Sequence, residues 1–222
     1  PEARISPEAG IETGARVGAG ANTETGTGTR NSAGSPIDDN RPLVLAGSRE
    51  QPLLYLRRYW AYEERIRDGI AARLQQPVDV DTARLRILLD RLFPHADAPA
   101  PDWQRIACAL TARSGFGIVT GGPGTGKTTT VVKLLAVLHG LATAANQPPL
   151  LIELAAPTGK AAARLTESIT DAIQKIPEDL RPPHLDNIKV KTLHRLLGSR
   201  GDGGFRHDAA HPLHADLVVV DE

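Results

Sequence analysis

A Gly-rich octapeptide at residues 121–128 constrains the fold of this chain more than any other feature. It reads Gly-Gly-Pro-Gly-Thr-Gly-Lys-Thr and satisfies the pattern G-x-x-x-x-G-K-[ST]. An apolar run at 116–120 precedes it, and an amphipathic helical pattern at 128–139 follows it. Small residues at such a turn let backbone N–H groups point inward around phosphate groups, and the start of the following helix adds a favourable dipole. The octapeptide therefore predicts a nucleotide-binding site between a buried strand and a helix.

Residues 121–128, the phosphate loop, contain two side chains with specific predicted roles. Lys127 is expected to reach the outer phosphates as a point charge, and Thr128 is expected to supply its hydroxyl to Mg²⁺. The other predicted nucleotide contacts are Gly121, Gly122, Pro123, Gly124, Thr125, Gly126 and Thr129. The alternative is a Gly-rich turn that fits the pattern by chance, and the flanking strand and helix patterns argue against it.

An acidic pair provides the second half of the predicted ATP site. The apolar run at 217–220 is followed by Asp221 and Glu222. Asp221 is predicted to hold Mg²⁺ through water, and Glu222 to orient or deprotonate the attacking water. Taken alone, this pair could be the solvated end of a strand. Together with the phosphate loop it favours a catalytic set of Lys127, Asp221 and Glu222.

The chain divides into three predicted segments. Residues 1–50 are rich in Gly, Ala, Thr, Ser and Glu, which predicts a low-complexity, mobile segment. Residues 51–95 are predicted to form a small helical domain, and 94–101 a linker. Residues 102–222 alternate between helical and strand patterns, which is typical of a parallel sheet with crossover helices. The predicted fold class is therefore α/β.

Apolar spacing places the predicted helices and strands. A first helical stripe consists of Tyr55, Tyr59, Tyr62, Ile66, Ile70 and Leu74. Asp81 is a candidate N-cap for a second helix with inward Leu85, Leu88, Leu89 and Leu92 that ends at Pro94. Asp102 is a candidate cap for a third helix with Trp103, Ile106, Ala107 and Leu110 on its inner face. The remaining elements are strands at 116–120, 150–155 and 217–220, helices at 128–139, 160–173 and 192–197, and a surface loop at 198–214.

The bulk composition excludes few partners. The formal net charge is zero, with 26 basic and 26 acidic residues, so a DNA contact has to rest on local residues. The single cysteine, Cys108, falls on the apolar face of a predicted helix and is predicted to be a small buried thiol. No stretch approaches the roughly 20 apolar residues of a membrane span, and no signal segment opens the chain. A cytoplasmic location without a membrane partner is expected.

Three further patterns surround the phosphate loop. Gln104 lies on the helix predicted before the first strand of the sheet, and its amide can donate to and accept from an adenine edge at once. Residues 155–165 read Ala-Ala-Pro-Thr-Gly-Lys-Ala-Ala-Ala-Arg-Leu, and the predicted helix start there offers backbone donors, a hydroxyl and a cation to a phosphate. Residues 191–198 read Lys-Thr-Leu-His-Arg-Leu-Leu-Gly. Each of these residues, taken singly, is an ordinary surface residue.

In this order, the patterns resemble the superfamily 1 DNA helicases of the RecD family, the alpha subunits of exodeoxyribonuclease V. The resemblance covers roughly residues 50–222, because the aromatic stretch at 54–63 is similar to the family's amino-terminal domain, which binds a partner subunit. It implies a RecA-like P-loop NTPase sheet, the incomplete first lobe of a motor, behind a small helical domain. It also implies that Gln104 reads adenine and that DNA is contacted by Thr158, Gly159, Lys160, Arg164, Thr192 and His194.

The same resemblance implies cofactors, partners and an activity. ATP and Mg²⁺ are the implied cofactors, and the implied ligands are single-stranded DNA and duplex ends. Family members unwind DNA 5′ to 3′ with the beta and gamma subunits of exodeoxyribonuclease V (the RecBCD complex), whose nuclease centre lies in the beta subunit. That complex acts in repair of double-strand breaks by homologous recombination.

Two alternatives remain open beside the RecD interpretation. A solitary RecD-like or relaxase-associated helicase is disfavoured by the aromatic helix, and a nonmotor P-loop nucleotide-binding module is disfavoured by the two DNA-contact patterns. The chain contains no Met and stops directly after the acidic pair. It is therefore expected to be an amino-terminal fragment that lacks a second motor lobe and an arginine finger. By itself, such a fragment is expected to bind nucleotide with negligible hydrolysis and no unwinding.

Overall fold

The computed structural model describes residues 41–76, 78–94, 100–183, 185, 189–201 and 203–221. These residues form two compact units. The larger unit contains Val78–Arg113 and the chain from Gly117 onward, and the smaller contains 41–76 with Ser114–Phe116. Of the mobile segment predicted for residues 1–50, residues 1–40 lie outside the described residues, and so does Glu222.

The smaller unit begins with a β-hairpin that the sequence analysis missed. Strand β1 (Leu43–Gly47) pairs antiparallel with β2 (Pro52–Leu56), with Leu43 opposite Leu56. Gly47 has a φ of +85°, and a Cβ atom there would lie 2.3 Å from the carbonyl oxygen of Gln51, so the turn requires glycine. Two short apolar runs separated by a turn containing glycine are the hairpin signal that could have been used.

Helix α1 (Arg57–Leu74) follows the hairpin directly and confirms most of the first predicted helix. Tyr55 lies in β2 and not in the helix. No residue of α1 is buried, and Tyr59 and Tyr62 make an edge contact with ring centroids 6.3 Å apart. The aromatic stripe is therefore helical in spacing, but its side chains stay largely exposed in the part of the chain that the structure describes.

The larger unit is a helix-covered parallel sheet, which confirms the predicted fold class. The strands β3 (Ile152–Ala156), β4 (Lys191–Thr192) and β5 (Leu217–Val220) are arranged in the order β4-β3-β5 and are all parallel. Strand β4 was not predicted. The helices are α2 (Thr82–Leu92), α3 (Trp103–Thr111), α4 (Lys127–Ala144), α5 (Gly159–Ile173) and α6 (Leu193–Leu197), with a 3₁₀ turn at Glu178–Leu180.

Side-chain caps explain where several of these helices begin. The Asp81 carboxylate accepts a hydrogen bond from Arg84 N at 2.9 Å, and the Asp102 carboxylate accepts one from Arg105 N at 3.0 Å. Both caps confirm the sequence prediction. Helix α2 packs against α3 and α4 in the larger unit, whereas the sequence analysis had grouped it with the preceding helix.

The core of the larger unit surrounds α4. Leu135, Ala136 and Val137 are fully buried on this helix, and α2, α3 and α5 all pack against it. The sequence analysis predicted one apolar side, but three consecutive buried residues show that α4 is covered around most of its circumference. A helix enclosed in this way has a fixed start, and the phosphate loop ends at that start.

Two sequence predictions near α4 are wrong. Residues 116–120 form no strand and pair with none of the described strands, and Ile118 is 64% exposed. At the start of this segment, the N–H and the carbonyl of Phe116 both bond to the Ser114 hydroxyl. The inner face of α3 is also rotated from the predicted one, since Trp103 and Leu110 are about half-exposed.

Small residues occupy the true inner face of α3. Ala107 and Cys108 are buried, and the Cys108 Sγ lies 3.4 Å from the carbonyl oxygen of Thr130 on α4. Small side chains allow this close approach of the two helices. The buried thiol predicted for Cys108 is confirmed, and its burial raises the pKa of the thiol to about 12, so it stays protonated at neutral pH. No helix among the described residues is long and apolar enough to cross a membrane.

The central strand provides a matched test of this core. Leu154 is fully buried in β3, while Leu151, just before the strand, is 56% exposed. Leu154→Ala is expected to lower the free energy of unfolding by about 2–5 kcal/mol, because it leaves a cavity in a packed core. Leu151→Ala is expected to change it by no more than about 0.5 kcal/mol. Urea unfolding followed by circular dichroism measures both, and equal effects would contradict the placement of β3.

Candidate functional site

The phosphate loop forms a tight turn that only glycine allows at two positions. Gly124 and Gly126 have φ angles of +75° and +82°. A Cβ atom at Gly126 would lie 2.5 Å from Nε2 of Gln104, so both the backbone conformation and the space require glycine there. The Thr125 hydroxyl donates to the carbonyl oxygen of Gly122 at 2.9 Å and closes the turn from inside.

Lys127 is held by the loop that it follows. Its Nζ atom donates to the carbonyl oxygens of Gly121 at 2.7 Å and Gly122 at 3.1 Å. An ammonium group that reaches for a nucleotide phosphate has to exchange these two hydrogen bonds to neutral carbonyl oxygens for hydrogen bonds to an anionic oxygen, in which donor and acceptor are both charged. The arrangement thus keeps a cation at the loop with its donors satisfied, close to where phosphates are predicted to bind.

Gln104 is the second anchor of the loop. Its Nε2 donates to the carbonyl oxygen of Thr125 at 3.0 Å, a bond that the sequence analysis did not anticipate. The donor half of the amide is therefore engaged with the loop backbone. Adenine recognition by Gln104 stays a prediction, and the structure adds a positioning contact for the same side chain.

Thr130 is a further residue of the site that sequence reasoning missed. Its side chain is only 3% exposed, and its hydroxyl donates to the carbonyl oxygen of Gly126 at 3.0 Å, one helical turn back. The bond ties the last glycine of the loop to the first turn of α4. A threonine four residues after a glycine is a common pattern, so the sequence alone carried no clear signal.

One cavity brings the two predicted halves of the ATP site together. Thr128 of the phosphate loop and Asp221 after β5 line a cavity of about 280 Å³, together with Thr158, Lys160, Ala161, Arg164, Leu165 and Ser168 of the α5 region. The N–H of Asp221 donates to the carbonyl oxygen of Ala155 at 3.0 Å, so the pairing of β5 with β3 sets the position of the carboxylate. A hydroxyl and a carboxylate are oxygen ligands of the kind that Mg²⁺ prefers, and these residues fit that ion.

The remaining predicted nucleotide contacts lie on the loop and at the start of α4. Pro123 is exposed, and Thr129 is half-buried in the first turn of the helix. The structure thus gathers the loop, Lys127, Thr128 and Asp221 at one edge of the sheet. It does not describe Glu222, whose role remains a prediction.

The residues predicted to contact DNA follow the carboxyl ends of two neighbouring strands. Thr158 comes two residues after β3 and accepts a hydrogen bond from Ala161 N at 3.2 Å as the cap of α5. Thr192 ends β4 and caps α6 by accepting from Arg195 N at 3.3 Å. Because carboxyl ends of parallel strands share one edge of a sheet, both segments lie at the edge that also carries Asp221.

The other predicted DNA residues are accessible. Gly159, Lys160, Arg164 and His194 are all exposed. The imidazole of His194 lies against Phe205 with ring centroids 6.0 Å apart, and Phe205 was not singled out from the sequence. Lys191 forms an ion pair with Glu153 of β3 at 2.7 Å, which fixes the approach to Thr192.

The fold and the cavity define a P-loop nucleotide-binding domain built on a parallel sheet. A family model described as an AAA domain matches residues 104–222, which is more than half of the 222-residue chain. The chain belongs to this family.

Individual relatives make the similarity more specific and confirm the resemblance to RecD. The chain is 42% identical over 172 residues to the RecBCD enzyme subunit RecD of Mycobacterium tuberculosis, a match that covers 77% of this chain and 28% of that protein. It is 41% identical over 193 residues to RecD of Mycolicibacterium smegmatis, covering 86% of this chain and 32% of the relative. The ATP-dependent RecD2 DNA helicase of Deinococcus radiodurans is 39% identical over 105 residues, covering 47% of this chain and 11% of the relative. The chain thus spans about a third or less of the length of these relatives.

Two roles of Gln104, holding the phosphate loop and recognising adenine, can be distinguished by comparing the affinities for ATP and GTP. Gln104→Ala removes both functions, and the loss of one net hydrogen bond weakens binding by up to about tenfold. If Gln104 mainly positions the phosphate loop, affinity for ATP and for GTP is expected to fall by the same factor, because the two nucleotides share the triphosphate. Isothermal titration with both nucleotides measures this, and a loss confined to ATP would assign Gln104 to the base instead.

Proposed function

We propose that this chain carries the ATP-binding lobe of an ATP-dependent DNA helicase of the RecD type. The observation that carries the proposal is that Thr128 of the phosphate loop and Asp221 after β5 line the same cavity at the carboxyl edge of a parallel sheet. Ligands of open α/β sheets bind at this edge. The similarity to RecD subunits supports the choice of a DNA motor among the nucleotide-binding proteins that share this fold.

The residues of the candidate site would have separate roles in ATP hydrolysis. The loop backbone and Lys127 would bind the phosphates, and Thr128 and Asp221 would hold Mg²⁺. When bound, the metal ion neutralises charge that develops on the phosphoryl oxygens. Gln104 would hold the loop in its turn and read the adenine edge, and Glu222 would activate the attacking water. Thr129 and the other loop residues would complete the nucleotide contacts.

DNA would bind along the same edge, at the starts of α5 and α6. Thr158, Gly159, Thr192 and His194 are the proposed contacts, and a single strand crossing both helix starts would meet their backbone donors and hydroxyls. Lys160 and Arg164 differ from these residues because they also line the cavity of Thr128 and Asp221. Their position lets these two cations contact either a DNA phosphate or an anion in the cavity.

The wider role rests on the similarity to RecD subunits of the RecBCD enzyme. In this proposal the full-length protein moves 5′ to 3′ on DNA ends in the cytoplasm as a partner of the beta and gamma subunits of exodeoxyribonuclease V. The assembly acts in recombinational repair of double-strand breaks, with its nuclease centre in the beta subunit. Of residues 51–95, the part that lies in the smaller unit would serve partner binding, and 102–222 would form the first motor lobe.

The proposal predicts that the full-length protein hydrolyses ATP with stimulation by single-stranded DNA. Lys127→Ala is expected to lower that rate by about 100-fold or more, because it removes a cation from the developing phosphoryl charge. Lys175→Ala changes an exposed lysine outside the cavity and is the matched control, with an expected rate close to the parent. A phosphate-release assay measures all three proteins, and undiminished turnover in Lys127→Ala would defeat the assignment.

The similarity to the RecD2 helicase supports a second candidate, a motor that works without partner subunits. Co-purification with the beta and gamma subunits from cells distinguishes the two, since a solitary helicase is expected to elute alone and to unwind a 5′-tailed duplex unaided. ATP hydrolysis that does not respond to single-stranded DNA would favour a nonmotor nucleotide-binding module over both.

A further inference from the structure

Two cations on one face of α5 line the cavity of the nucleotide site. Lys160 and Arg164 are four residues apart, which places them on the same side of the helix one turn from each other. Ser168, one turn further, lines the same cavity with them. Two cations of α5 therefore line the same cavity as Thr128 and Asp221.

Neither of these cations forms an ion pair with any described residue, in contrast to cations elsewhere in the larger unit. Arg91 pairs with Asp179 at 2.8 Å, and Lys191 pairs with Glu153 at 2.7 Å. Asp221 is the one acidic side chain among the described residues that line the cavity. Among the described residues, the cavity lining therefore holds two cations and one carboxylate, a net excess of one positive charge.

The chemistry of the neighbouring site indicates which anion fits. In ATP hydrolysis, water attacks the terminal phosphorus and loses a proton to solvent, and the bond from that phosphorus to the bridging oxygen breaks, so that ADP leaves. In the proposed site, the inorganic phosphate would be formed near Thr128. The cavity of about 280 Å³ is far larger than the roughly 10–15 Å³ that one water requires. It has room for a tetrahedral anion beside the two cations of α5.

We propose that Lys160, Arg164 and the hydroxyl of Ser168 form a subsite that binds the inorganic phosphate released from ATP. The guanidinium of Arg164 offers two parallel N–H donors to phosphate oxygens, and the ammonium of Lys160 acts as a point charge beside it. The proposal rests on the proposed ATPase function of Thr128 and Asp221. It assigns Lys160 and Arg164 to the product of that reaction, whereas the sequence analysis assigned them to DNA.

The test uses the full-length protein and inorganic phosphate as the probe. In steady-state ATP hydrolysis, Arg164→Gln is expected to raise the inhibition constant for phosphate about tenfold, as for the loss of one charge-assisted hydrogen bond. Lys160→Gln is expected to act in the same direction. Lys175→Gln changes an exposed lysine outside the cavity and is expected to keep the parental inhibition constant.

A binding measurement without turnover accompanies the kinetics. With ADP and Mg²⁺ present, phosphate is expected to raise the melting temperature of the parent and of Lys175→Gln, compared with chloride at equal ionic strength. Arg164→Gln and Lys160→Gln are expected to lose this shift. Each variant's melting temperature without phosphate shows that it has folded, since both side chains are exposed.

Three results would overturn the proposal. The first is an unchanged inhibition constant for phosphate in both Arg164→Gln and Lys160→Gln. The second is the absence of a phosphate-dependent thermal shift in the parent. The third is a loss of affinity for single-stranded DNA in the two variants while their inhibition by phosphate is unchanged. The third would make the DNA backbone the ligand of Lys160 and Arg164. Failure of the parent to hydrolyse ATP would instead defeat the proposed function, and the thermal shift would still decide whether phosphate binds.

Discussion

The parallel register between β3 and β5 determines where the candidate site residues meet. Ile152 lies opposite Leu217 and Ala155 opposite Val220, and the pairing continues one residue further through the hydrogen bond from Asp221 N to Ala155 O. At the other end, the Asp216 carboxylate accepts from Leu151 N at 2.8 Å and fixes the start of β5. A shift of one residue would turn every side chain of β5 to the opposite face, and Asp221 would leave the cavity that it shares with Thr128.

The phosphate loop depends on a second constraint, the burial of α4. The helix is enclosed by α2, α3 and α5, so the point at which the loop enters it cannot move without disturbing a packed core. The Thr130 hydroxyl ties Gly126 to this helix, and Gln104 holds Thr125 from α3. A loop fixed from both sides presents its N–H groups with little further ordering on ligand binding, which reduces the entropic cost of capturing a triphosphate.

Local chemistry made part of this structure predictable. A sequence pattern marks the phosphate loop because its geometry depends on neighbouring residues, and the caps at Asp81 and Asp102 are contacts that span only three residues. Tertiary contacts could not be predicted from the sequence. The rotated face of α3 follows from how closely Cys108 approaches α4, and residues 116–120 form no strand because none of the described strands pairs with them. The hydrogen bond from Gln104 to the loop joins residues more than 20 positions apart, and so does the cavity shared by Thr128 and Asp221. The spacing of residues along the sequence therefore gave no sign of either contact.

Side chains of opposite charge line the cavity of the candidate site. Thr128, Asp221, Lys160 and Arg164 all line one volume of about 280 Å³. A divalent cation held at Asp221 would neutralise the carboxylate and make the cavity more positive, which strengthens the attraction of the α5 cations for an anion. By linkage, an anion at Lys160 and Arg164 would strengthen cation binding at Asp221 by the same factor. Helix α5 begins at the edge where DNA is proposed to bind. A bound anion would therefore change the positive charge that Lys160 and Arg164 offer to DNA at that edge, without requiring a change in the fold.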